Sequence, residues 1–303
     1  MSGTEVLLFG LYGLALLLVV WPTTKSARKV LQRWRVAEPT DDQVVEVLSY
    51  LRRRRFWYPW LLLVAPFVMS RFGSSDGGGG ASQVLVAVLT ALLIAELLAL
   101  RPTRAAVRAA SLMPRGLFDL VPRWAVACYG VLIVLTAGFG TAGVVVQAWV
   151  NDFVRTLGPN GEVPTTDGST SFVNSAEQLA DGRAPWVHLG ATALCLIAVG
   201  AVVWLAKVRP GGADVVVDGV LRTRSARVAL GLGIALQGAL AVDALQRIAR
   251  IAGYVRYGAP PWTGVVEDWT GWFPVVVWLG SILAWIWVAN PPAKVRLVAG
   301  TDR

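Results

Sequence analysis

Glu96, Gln237 and Asp243 are polar side chains set inside long apolar runs, the positions where chemistry within a membrane would begin. A carboxylate at the depth of Glu96, close to the end of the run 82–100, is what proton coupling or a salt-bridge gate requires. Its structural alternative is a helix-end carboxylate that reaches the interface and meets Arg101 or Arg104. Asp243, Arg247 and Arg250 recur at i, i+4 and i+7, one stripe of a helix. Asp before Arg at i+4 is the favourable order for an intrahelical salt bridge, which leaves Arg250 to seek another anion. Gln237, deeper on the same helix, needs a partner wherever water is absent, and interhelical hydrogen bonding is its expected role. His188, the single histidine, opens the run 186–206 beside Trp186. An interface position suits a partnered structural histidine, with pH sensing or acid–base catalysis as the functional alternative.

Metal and cofactor chemistry find little support in the residue types. The two cysteines, Cys128 and Cys195, lie in separate apolar runs, and one histidine cannot build a zinc site with them. Gly138-Phe139-Gly140-Thr141-Ala142-Gly143 has the dinucleotide-binding spacing. That motif works only between a strand and a soluble helix, and here it falls within an apolar run, so close helix packing is its expected use. Gly231, Ala235 and Ala239 offer a similar small face. Asp214-x-x-x-Asp218-Gly219-x-x-Arg222 departs from the Asp-Gly motif of the membrane CDP-alcohol phosphotransferases. Its first spacing is one residue too long, an alanine is missing, and Ala235 stands where the third aspartate belongs, so the metal pair of that family cannot form. No cofactor is expected.

The elements that hold these residues follow from composition. Hydrophobic residues make up 55% of the 303 and charged ones only 16%, against about a quarter in soluble domains. Mean hydropathy is +0.57. The formal charge of +9 is confined to short segments between apolar runs, which suits one face of a membrane and argues against nucleic acid as a partner. A bilayer core of about 30 Å takes roughly 17 to 25 apolar residues per helix. Seven runs qualify, 5–21, 56–70, 82–100, 124–149, 186–206, 228–247 and 273–289, with the second and seventh short. If all cross and the N-terminus is outside, the inner segments 23–55, 101–123, 207–227 and 290–303 carry nine, five, five and three of the 28 Lys and Arg. The expected fold is therefore an all-helical polytopic bundle, N-out and C-in, as the preference of basic residues for the cytoplasm demands. The first run follows no basic residue and reads as an anchor, not a cleaved leader.

Outside the lipid, Thr40-Asp41-Asp42-Gln43 opens with a capping box, and Val44, Val45, Leu48 and Leu51 form an apolar side. Residues 41–55 are read as an amphipathic helix lying on the inner leaflet, with Arg52, Arg53, Arg54 and Arg55 facing anionic lipid headgroups. A docking surface for a membrane or cytoplasmic protein is the alternative. Pro22-Thr23 and Pro102-Thr103, each with an arginine six residues after the Pro, form a weak repeat that ordinary span endings also explain. Residues 150–185 form the longest polar loop, and few lysines beside many Arg, Ala, Val and Trp point to a bacterial cytoplasmic membrane. With few polar residues in the spans and no converging reactive set, the expected function is a non-enzymatic accessory or permease-like component. A small-solute or lipid transporter is the main alternative, and an intramembrane enzyme the weaker one.

Overall fold

The computed structural model describes residues 21–34, 36, 38–72, 80–99, 116–157, 162–164, 170–172, 182–208, 214–254 and 258–290. All of the run 5–21 except Trp21, the basic residues Arg101, Arg104, Arg108 and Arg115, the chain beyond Asn290 and most of 158–181 lie outside that set.

Helix α1, Thr24–Arg33, begins at a Thr23 cap whose hydroxyl accepts from the Ser26 amide, with Ser26 returning the bond. Helix α2, Asp41–Phe72, begins at the expected capping box: Thr40 Oγ1 accepts from the Gln43 amide, and Gln43 Oε1 accepts from the Thr40 amide. The surface helix and the second apolar run are one unbroken helix of 32 residues, not two elements. Pro59 and Pro66 fall inside it rather than at a helix start. The apolar side is also placed differently from the sequence expectation. Val44, Val47, Leu48, Tyr50 and Leu51 pack on Ala27 and Leu31 of α1 and on Val217 and Leu221, while Val45 is exposed. Protein, not the inner leaflet, covers this face, because apolar side chains of α1 and of residues 217–221 lie against it and take its apolar area out of water.

The other elements are α3 (Gly80–Ala99), α4 (Leu117–Leu120), α5 (Arg123–Thr156), the antiparallel pair β1 (Glu162–Pro164) and β2 (Thr170–Phe172), α6 (Ala184–Val208), α7 (Val215–Ala252), α8 (Trp262–Glu267) and α9 (Phe273–Ala289). Pro122 caps α5, while Pro185 and Pro274 sit at the second residues of α6 and α9, where a missing N–H is harmless. Helices α5, α6 and α7 are long and apolar enough to cross a membrane, which points to a membrane location; Val86–Ala99 and α9 are shorter apolar helices.

The 38-residue α7 is the axis of the bundle. Its most apolar stretch is 94% buried, against 33% for α5 and 28% for α6. Ala229, Leu232, Ile234, Leu236 and Leu240 form one core with Leu89 and Leu93 of α3, Tyr129 and Leu132 of α5, and Val199 and Val202 of α6. Helix α9 closes on α7 because two glycines admit it. A Cβ at Gly231 would lie 2.8 Å from Trp285 Cδ1 and one at Gly238 2.6 Å from Ser281 Cβ. In the Gly138–Gly143 stretch, Gly140 meets Leu189 and Gly143 meets Pro185, whereas Gly138 faces open space.

Four contacts gather one end of the bundle around the start of α7. Gln43 Nε2 donates to Asp214 at 2.7 Å, and Arg33 donates to Asn290 at 2.7 Å. Arg222 donates to the Lys207 carbonyl and Arg227 to that of Leu120. The described parts of the segments 23–55, 101–123, 207–227 and 290–303 therefore meet at the Asp214 end.

Candidate functional site

Helix α7 carries polar groups along one stripe, buried except for the partly exposed Asp243. At about 100° and 1.5 Å per residue, Asp218, Arg222, Ser225, Asp243 and Arg247 fall within about 60° of each other. Ser225 and Asp243 are roughly 27 Å apart along the axis, close to the thickness of a bilayer core. Between them the stripe is filled by Ala229, Leu232, Leu236 and Leu240, all buried.

At the Asp214 end, Glu96 is fully buried. Its Oε2 pairs with Arg54 Nε at 2.6 Å, and its Oε1 accepts from the Tyr50 hydroxyl. Because Tyr50 spends its only proton on the carboxylate, Ser225 Oγ must be the donor in the 2.9 Å contact with Tyr50. Burial first, and then the Glu96 charge, raises the Tyr50 hydroxyl above its ordinary value, so it stays protonated. Burial alone would lower Arg54, but the charges of Glu96, Tyr58 and Tyr50 together raise it. The Glu96 partner is therefore Arg54, drawn out of the run Arg52 to Arg55, of which Arg52 and Arg53 remain exposed. One turn further along α7, Asp218 and Arg222 form a buried pair at 2.6 Å. Asp214 caps α7 through the amides of Val216 and Val217. The aspartates of the near-motif thus hold a helix start and an arginine.

Midway, Gln237 is fully buried and donates from Nε2 to the Thr192 carbonyl at 3.3 Å, tying α7 to α6. Thr136 of α5 donates to the Gln237 carbonyl at 3.2 Å, and Tyr129 Oη lies 3.5 Å from Cys195 Sγ.

At the Ala252 end, Asp243 and Arg247 turn to different partners, in place of the expected i, i+4 bridge. Asp243 Oδ2 lies 2.8 Å from Nε2 of His188, which is itself only 5% exposed. Nδ1 of the same ring is 2.7 Å from the Ala184 carbonyl, which can only accept, so Nδ1 carries a hydrogen. A second proton must lie between Nε2 and Oδ2, and the pair holds it jointly. Arg247, 2% exposed, donates to Gln147 Oε1 at 2.9 Å, and Gln147 donates to Asn151. Arg250 Nε donates to the Gln246 carbonyl at 3.4 Å on its own helix.

The six residues singled out from the sequence are thus divided between three levels of the bundle. Sequence reasoning missed Tyr50, Arg54 as the Glu96 partner, Gln147, and Asp218–Arg222. The i, i+4 spacings of Tyr50 with Arg54 and of Asp218 with Arg222 were signals present in the sequence. Chemically, the arrangement can lock helices and hold a proton at His188–Asp243. Among the described residues, no three His, Cys, Asp or Glu side chains are grouped to hold a metal ion. No family model, curated protein or solved structure matches the chain.

Proposed function

We propose that this chain is a non-enzymatic component of the bacterial cytoplasmic membrane, an accessory or permease-like subunit built around α7 as a rigid post. One observation carries the reading: the span of α7 between Ser225 and Asp243 is packed solid by its neighbours, and the polar groups at either end bind other helices. A post of this kind transmits position between the two membrane faces without opening a path. Seven spans, N-out and C-in, complete the proposal, supported by the meeting of four arginine- and lysine-bearing segments at the Asp214 end. In this orientation Arg52 and Arg53 face anionic headgroups and a protein partner at the inner surface.

Purification in mild detergent with mass spectrometry of bound material tests the reading. The expected result is a stoichiometric protein partner lost from the double variant Arg52→Glu/Arg53→Glu, whose changes lie on exposed positions. The second reading, proton-linked transport of a small solute, is favoured by the proton shared at His188–Asp243. Solute flux in vesicles that follows a proton gradient and disappears in Asp243→Asn would replace the subunit reading with this one.

A further inference from the structure

The connection from α7 to α9 is fixed to the bundle yet leaves large apolar side chains uncovered. Ala259 packs with Val146, Val150 and Ile251, and Thr263 is fully buried, its hydroxyl donating to the Pro260 carbonyl at 2.7 Å. Helix α8 is thereby held against α7. Trp262, Val265, Trp269 and Trp272 nevertheless stay exposed, Val265 at 61%. A contiguous apolar patch on a folded chain marks an interaction surface.

The geometry of α8 identifies what covers the patch. The Trp269 amide bonds to the Val266 carbonyl and carries the helical turn onward, so at about 100° per residue Trp262, Val265, Val266 and Trp269 share an arc of about 100°. Gly264 and the exposed Glu267 fall on the opposite side, and the buried Thr263 falls between the two sides, toward the bundle. A helix with protein on its flank, apolar side chains on one side and a carboxylate on the other fits the boundary between lipid and water. Its depth agrees. Gly231 of α7 faces Trp285 and Gly238 faces Ser281, so α9 runs antiparallel to α7 and begins at the Ala252 end. Past Trp272 the exposed apolar surface continues into Val275, Val276, Trp278 and Leu279 of α9, and tryptophan concentrates where such a surface meets headgroups. We propose that α8 and the turn to Trp272 form an interfacial anchor, whose apolar side enters the leaflet at the Ala252 end and holds that end of α7 at headgroup depth. The anchor rests on the membrane location of the chain, not on its role as a subunit or on which membrane face the Ala252 end occupies.

The test is the collision accessibility of nitroxide labels on the full chain, reconstituted into vesicles of phosphatidylcholine and phosphatidylglycerol, with Cys128 and Cys195 changed to serine. Oxygen concentrates in lipid and a neutral nickel chelate in water, so the ratio of their effects on the label reads its depth. Val265→Cys reports the apolar side of α8 and Glu267→Cys the opposite side. Val134→Cys, on the exposed surface of α5, and Asp152→Cys, 75% exposed near its end, supply the lipid and water references. The expected oxygen-to-nickel ratio at position 265 is at least threefold that at 267, and the ratio at 267 should match that at 152. Should Val265→Cys fail to fold, Trp262→Cys on the same side is expected to give the same result. A ratio at 265 equal to those at 267 and 152 would place the patch in water and overturn the anchor. Weak collision with both reagents at 265 would show a second copy of the chain on the patch, and would overturn it equally. Purification without a protein partner, beside the expected ratios, would reject the subunit reading and leave the anchor standing.

Discussion

At the scale of single residues, a buried charge is useful only with its partner in place. Glu96→Gln removes the anion that Arg54 faces and leaves a guanidinium with little access to water. Breaking a buried pair on one side costs about 3–5 kcal/mol, so this variant should unfold well below wild type in a thermal assay in detergent. Tyr50→Phe leaves the ion pair but removes one donor to Glu96 and the acceptor of Ser225, for an expected cost of about 1–3 kcal/mol. At the other end, Asp243→Ala should cost more than Asp243→Asn. An amide can still donate to the unprotonated Nε2 of a His188 whose Nδ1–H is fixed on Ala184. Equal midpoints for the two variants would remove the shared-proton account.

At the scale of elements, α7 is specified by its start and by two small faces. Asp214 caps the helix and accepts from Gln43, and these bonds lower its carboxyl below the ordinary value of 3.8, the Gln43 bond most of all. A depressed carboxyl contributes stability above its unfolded value, lost as pH falls through the lower folded value. Asp214→Ala should therefore be less stable than wild type at neutral pH by about 0.5–2 kcal/mol, the usual worth of such a cap. The gap should close below about pH 3.8, read from unfolding midpoints across a pH series. Gly238→Leu should separate α9 from α7, because even a Cβ there meets Ser281 and the Val277 carbonyl lies near. Gly138→Leu, with open space beside it, should be tolerated. Cross-linking between cysteines placed on α7 and α9 distinguishes the two outcomes.

At the scale of the whole molecule, the sidedness of the chain is the property to measure. Single cysteines at Lys29 and Asp152, in a chain with Cys128 and Cys195 changed to serine, report which face each occupies. Lys29 should be labelled by a membrane-impermeant reagent only after permeabilisation, and Asp152 in intact cells.

Apolar run length and the placement of basic residues were enough to predict helices in a membrane. Each of the segments 124–149, 186–206, 228–247 and 273–289 lies within or coincides with one helix of the structure. The capping box at Thr40 was equally legible, since a cap depends on residues only three apart. Tertiary structure alone decided that residues 41–55 and 56–70 form one helix, and that its apolar face meets α1 and α7 in place of lipid. It also decided that Asp243 pairs with His188, 55 positions away, and Glu96 with Arg54, 42 positions away in sequence. The reason is physical. Local spacing records which partners a side chain has on its own helix, but in a bundle a buried charge is satisfied by whichever neighbouring helix brings a complementary group to the same depth.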